Sequence, residues 1–372
     1  MKLLQAATPQ NDRVNGRQIA FFAAFILPAY KLLETPSLLA KFLEGDLLLP
    51  ALLHFLLQGA VLAALLYAAS RSEKPLFTRL HERFGKWCLL LYIPLGLYFL
   101  LAAILPFLDL EKFVYASFYD TSPTSFTFAA FFLLVAFIAA KGLKTLGRLA
   151  DIALFIFLIP FAALLFMSVT QADASNLLPF FEKAFGHTTY AFTYTLPHFS
   201  DVIFLLPLIG SLSYQKGDGV KIISGYGAGG VCALLFLGVF YGVFSTIAPR
   251  THYAFAKIAQ YFPALTLIGR VDLLFVYMLS TVLFLYAASP LAYSVDCTLR
   301  LFPRLRRPWL AGILSIGAFV FTLFCNKHYN FFYALLCEKL PPVFLIFNYV
   351  LPLVLLFLPT KKPNGKKEGS YA

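Results

Sequence analysis

Charge is scarce in this chain. Only 13% of its 372 residues are Asp, Glu, Lys or Arg, against about 25% in ordinary soluble domains. That excludes a water-soluble globular protein. Cysteine is sparse too, with five residues, at 88, 232, 297, 325 and 337, and no Cys-x-x-Cys pair among them. This spacing carries no metal or dithiol redox motif. Cys325 and Cys337 flank one expected outer loop, so they are either a bridge or two small buried apolar residues. No Ser/His/Asp set, metal-ligand cluster or phosphate-binding loop is legible, so neither an enzyme nor a cofactor is expected. The glycine run at 225–230 lies in an apolar segment, where it fits close helix packing rather than a nucleotide. The first 18 residues hold no short apolar core with a small-residue cleavage site, so no secretory leader is expected there.

What is present is apolar. The chain is 60% hydrophobic, with a mean hydropathy of +0.78. Runs of about 20 apolar residues span a bilayer, and ten such spans are expected. They lie at 18–43, broken between Pro28 and Pro36, then 48–69, 87–107, 124–140, 149–169, 191–211, 221–246, 269–297, 309–325 and 341–359. One membrane domain therefore covers 18–359, between a polar tail at 1–17 and a basic tail at 360–372. The net charge of +12 need not mean nucleic acid. Most Lys and Arg fall in segments 1–17, 71–86, 141–148, 212–221, 298–308 and 360–372. These are all on one side if the termini are cytoplasmic, and positive loops face the cytoplasm. The partner implied is membrane lipid, with no nucleic acid. Labelling of intact cells tests this orientation. An impermeant thiol reagent is expected to reach Asp173→Cys but not Lys216→Cys; the reverse pattern would contradict the topology.

Two spans are interrupted in a matching way. Span six, Ala191 to Gly210, carries Pro197, His198, Ser200 and Asp201 in its first half. Proline removes a backbone donor and clashes one turn back. A polar, broken span is tolerated only where protein or a water-filled cavity covers it. Span one carries Leu27, Pro28, Ala29, Tyr30 and Lys31. Leu-Pro opens both breaks, and the two form either a transporter-type binding site or two ordinary proline kinks. In the first reading they face each other across a central cavity. Lys31 and Asp201 each lie a few residues beyond their proline, so an ion pair between them is expected; the competing fate of Lys31 is to snorkel outward.

Two connections read as amphipathic. In Pro75 to Lys86, Leu76, Phe77, Leu80 and Phe84 share one face, with Arg79, Glu82 and Arg83 opposite. That fits a helix lying on the membrane surface or one binding a partner. Tyr253 to Leu265 precedes an apolar span and fits a lid over the outer mouth.

Several stretches together resemble a known family. They are Asn176-Leu177-Leu178-Pro179 after Asp173, Gly269-Arg270-Val271-Asp272 opening span eight, the Lys141 to Arg148 connection, and Pro36 and Asp46 near span one. They resemble the spore germination permease family, the B subunits of nutrient germinant receptors. The resemblance implies an all-α fold of the amino acid–polyamine–organocation (LeuT-like) type. Ten helices would form two inverted five-helix repeats, about 18–169 and 191–359, with helices 1 and 6 broken around a small-ligand site. It also implies an inner spore membrane or cell membrane location, a small nutrient such as an amino acid, and other receptor subunits as partners. Related proteins tend to carry small residues, often Gly, where Tyr30 and Lys31 stand here.

The ligand-binding candidates are Leu27, Pro28, Ala29, Tyr30, Lys31, Tyr98, Pro197, His198, Phe199, Ser200, Asp201, Tyr277 and Thr281. Each has a plainer reading. His198 and His54 fit satisfied core histidines, Tyr98 fits aromatic packing, and Thr281 fits a helix contact. Three functions stay open: a nutrient sensor, a proton-coupled amino-acid or amine transporter, and a non-binding scaffold or channel part.

Overall fold

The computed structural model describes residues 14–72, 74–118, 128–178, 182–261 and 272–357. The start of span four, the Gly269-Arg270-Val271 segment, Pro179, the end of the 253–265 lid and most of both tails lie outside the described residues. Secondary structure in the described residues is helical, without strands.

Among the described residues, six helices are long and apolar enough to cross a membrane: Thr35–Ser70, Cys88–Ser117, Leu143–Val169, Asp218–Arg250, Asp272–Leu301 and Arg307–Lys327. Two bent pairs raise the number to eight. They are Phe185–Tyr194 with Leu196–Gly210, bent by 65°, and Tyr329–Lys339 with Pro341–Phe357, bent by 55°.

The first helix, α1, does not stop at Pro28. It starts at Gly16–Phe21, widens into a π turn over Phe22–Ile26 and continues through Leu27–Tyr30. The wider turn precedes the residue whose missing N–H and ring would disturb a regular α turn. The chain then unwinds at 31–34 and re-enters a helix, α2, at Thr35–Leu43, with Pro36 in its first turn. Proline is tolerated there, because first-turn N–H groups have no helical partner. After a short turn, α3 runs over Leu48–Ser70.

The remaining elements build a shell around these breaks. They are α4 (Leu76–Phe84), α5 (Cys88–Phe118), α6 (Ala129–Lys141), α7 (Leu143–Val169), α8 (Phe185–Tyr194), α9 (Asp201–Gly210), α10 (Asp218–Phe244), α11 (Ala254–Gln260), α12 (Asp272–Leu301) and α13 (Arg307–Lys327). Tyr329–Lys339 and Pro341–Phe357 close the fold as α14 and α15. α12 is the central post: Ala287, Ala288, Leu291, Ala292 and Tyr293 are all fully buried.

The described part of the 253–265 segment is bonded to the first break. The N–H groups of Ala254 and Phe255 donate to the carbonyls of Leu33 and Leu32 at 3.0 and 3.2 Å. α11 thus satisfies two acceptors that the unwound stretch leaves without helical partners.

Two expectations change, and one open alternative is decided. Arg79 is buried rather than on the outer face of α4, because its guanidinium donates to the Ala68 carbonyl near the end of α3 at 2.8 Å. A cation at a helix C-terminus meets the orphan carbonyls and the negative end of the dipole. Phe84, placed with the apolar face, is exposed. Cys325 and Cys337 are free and buried, the apolar alternative rather than the bridge.

Candidate functional site

Both breaks end in a charge at the helix terminus that suits it. Lys31 caps the C-terminus of α1, the negative end of the dipole, and Asp201 opens α9, the positive end. Their side chains meet as a salt bridge, with Lys31 Nζ 2.5 Å from Asp201 Oδ1 and both side chains almost wholly buried, at 0% and 1% exposure. Lys31 also reaches the Leu27 carbonyl at 3.4 Å. Its ammonium lies 5.1 Å from the Phe199 ring centre and 5.7 Å from that of Phe55. Tyr226 donates to Asp201 Oδ2 at 3.0 Å. The next amide, Val202 N–H, donates to Gln58 Oε1 at 2.9 Å. A charge without a partner at this depth costs several kcal/mol, so the pair ties the two breaks together.

Around the pair runs an aromatic stack. His198 stacks on Tyr30 at 5.6 Å between ring centres, Tyr30 on Tyr286 at 4.7 Å, and Tyr286 on Phe204 at 4.8 Å. The Tyr30 hydroxyl donates to Asp109 at 2.6 Å, and Tyr329 of α14 reaches the other oxygen of that carboxylate at 3.4 Å. Asp109 therefore holds the first break to the segment before α15. At the other end of α1, Arg17 pairs with Asp151 at 3.3 Å.

The second break is held by side chains from three helices. Thr195 and Ser200 leave helical geometry around a short 3₁₀ turn, Leu196–Phe199. Ser200 donates to the Pro197 carbonyl at 3.1 Å and accepts from Asn348 Nδ2 at 3.1 Å. Tyr98 donates to Asn348 Oδ1 at 2.9 Å. His54 Nε2 lies 3.1 Å from both Thr195 Oγ1 and the Phe192 carbonyl, and the ring is sandwiched between Phe192 and Phe199. His54 is thus a hydrogen-bonded, stacked core histidine, as in its plainer reading. His198 is different: it is buried, yet neither ring nitrogen has a hydrogen-bond partner among the described residues. Buried polar groups are normally bonded, so this imidazole and Gln58 Nε2 are unsatisfied groups of the site.

The structure brings Leu27, Pro28, Ala29, Tyr30, Lys31, Tyr98, Pro197, His198, Phe199, Ser200 and Asp201 into this one region. Tyr277 and Thr281 do not join them. They lie on another face of α12 and line a lateral cavity of about 830 Å³ with Glu111, Tyr115, Phe131 and Ser280. Tyr277 is 63% exposed there, and the Thr281 hydroxyl is spent on the Tyr277 carbonyl. The open central cavity expected between the breaks is filled. Tyr30 and Lys31, with exposures of 2% and 0%, occupy the space that smaller residues would leave. Sequence reasoning missed Asp109, Gln58, Tyr226, Tyr286 and Asn348. Single polar residues inside apolar runs were the available signal.

A solved structure, the crystal structure of MhsT in complex with L-phenylalanine, shares the fold. Its TM-score is 0.65 over 92% of this chain and 87% of that one, at 15% identity. No curated protein matches the sequence significantly. The family model described as spore germination protein, Spore_permease, matches residues 47–330. That match covers well over half of the chain and includes α3, the second break and the central post α12, so the protein belongs to the spore germination protein family.

Proposed function

We propose that the chain is the transporter-like membrane subunit of a nutrient germinant receptor. It binds a small nutrient, an amino acid, between the two breaks and passes the change on to partner subunits in the spore's inner membrane. The observation that carries this reading is the buried Lys31–Asp201 pair joining the two broken helices. Ionisable residues inside a membrane protein mark ligand or ion pathways, and broken helices supply the polar ends for them. The similar fold that holds L-phenylalanine supports an amino acid as the nutrient class. In this reading the fold has ten spans in two inverted repeats. α1 with α2 forms a broken first span, α8 with α9 a broken sixth, and Ala129–Lys141 a short fourth.

Spores test this directly. A strain carrying Asp201→Asn is expected to germinate at least about tenfold more slowly on amino acids, since tenfold needs only 1.4 kcal/mol of lost binding. The Lys31→Gln/Asp201→Asn variant, which strands no buried charge, is expected to show the same delay at near wild-type abundance on immunoblots, which separates lost binding from lost folding. Unchanged germination would contradict the proposal. The purified chain in liposomes is expected to take up no labelled amino acid. Uptake would favour the proton-coupled transporter reading instead.

A further inference from the structure

We infer that the nutrient is recognised by ion-pair exchange. A small zwitterionic α-amino acid opens the Lys31–Asp201 pair and takes both partners, its carboxylate on Lys31 Nζ and its ammonium on Asp201. This rests on the breaks being the nutrient site.

The charges argue it first. Lys31 and Asp201 are fully buried and compensate each other. A ligand that parts them must compensate both, or one charge is stranded at a cost of several kcal/mol. A zwitterion supplies one charge of each sign and leaves the local net charge unchanged. A simple amine would satisfy Asp201 and strand Lys31. A simple carboxylate would do the reverse.

The surroundings argue it next. Each partner keeps a second contact when the pair opens. Asp201 retains the Tyr226 hydroxyl. Lys31 retains the Leu27 carbonyl and the faces of Phe199 and Phe55. Each charge also stays at the helix end that favours it. The partners lie on separate broken helices, 170 residues apart in sequence. Parting them therefore moves one break relative to the other, which converts binding into a change of shape. His198, stacked on the residue before Lys31, has two unpartnered ring nitrogens to offer the ligand. The aromatic walls limit the ligand to a small side chain.

The test is equilibrium binding to the purified full chain in nanodiscs. The probes are the common amino acids, with methylamine and acetate as the two halves of every α-amino acid. The wild type is expected to bind at least one small amino acid and to bind either half on the order of 100-fold more weakly, the scale of a buried charge left unpaired. Asp201→Asn is expected to lose the amino acid and gain acetate. Lys31→Gln is expected to lose it and gain methylamine. The Lys31→Gln/Asp201→Asn double variant, with no stranded charge, keeps the test valid if a single variant does not fold; it is expected to bind none of the three. A double variant that binds the amino acid as tightly as wild type would overturn the exchange while leaving the breaks as a nutrient site. So would a wild type that binds methylamine or acetate as well as the amino acid. A wild type that binds no amino acid would overturn both.

Discussion

Asp201→Asn alone is expected to cost about 3–5 kcal/mol of stability, and Lys31→Met a similar amount, whereas the two together cost much less than their sum. The asymmetry follows from burial. Each single change leaves one full charge with no water and no counter-charge, because both side chains are inaccessible. Among the described residues, Asp201 would keep only the Tyr226 hydroxyl, and Lys31 only the Leu27 carbonyl and two ring faces. In the double variant the pair leaves no stranded charge behind, and the loss reduces to hydrogen bonds of about 1 kcal/mol each. A double-mutant cycle on unfolding in detergent reads the coupling. Both single variants should lower the midpoint by several degrees, and the double should recover most of it. Strictly additive effects would show that the two residues do not depend on each other.

Gly229→Leu is expected to remove nearly all folded protein, while Gly227→Leu, two residues away on the same helix, is tolerated. A Cβ at Gly229 would stand 2.7 Å from the Ala23 carbonyl oxygen and 2.7 Å from Pro28 Cγ, with the Ala24 carbonyl oxygen at 3.1 Å. Two of these are backbone atoms and the third belongs to a rigid ring, so none can swing away. The contact falls on the π turn of α1 and on Pro28, so relief would have to displace the first break and Lys31 with it. Overpacking costs about 1–3 kcal/mol even where side chains can adjust, and here they cannot. A Cβ at Gly227 meets nothing within 4 Å. The yield of monodisperse protein on size exclusion separates the two. Equal yields would mean that α10 does not press on α1 as described.

The membrane class was legible because runs of Leu, Phe and Ala leave no polar face. The breaks were legible because proline acts through local chemistry. The Lys31–Asp201 pair could be anticipated because both residues follow their proline at similar distances. The rest depended on direction around a helix. α12 is apolar on nearly every side, so periodicity could not tell the buried Tyr286 from the exposed Tyr277. Asp109 and Glu111 lie in Asp-Leu-Glu-Lys, a stretch that reads as the end of a span, yet α5 continues to Phe118. Asn348 and Tyr226 each stand alone in apolar runs, and only tertiary packing brings them to Ser200 and Asp201. The filled centre had its signal in Tyr30 and Lys31, which stand where related proteins tend to carry small residues.

The claim that the breaks hold a nutrient site is tested most directly by the thermal midpoint of the purified wild-type chain against a panel of the common amino acids. At least one small amino acid is predicted to raise it saturably, by the equivalent of about 2.7 kcal/mol at a hundred times its Kd, and the same compound should leave the Lys31→Gln/Asp201→Asn variant unmoved. A wild-type midpoint indifferent to every amino acid would contradict the account.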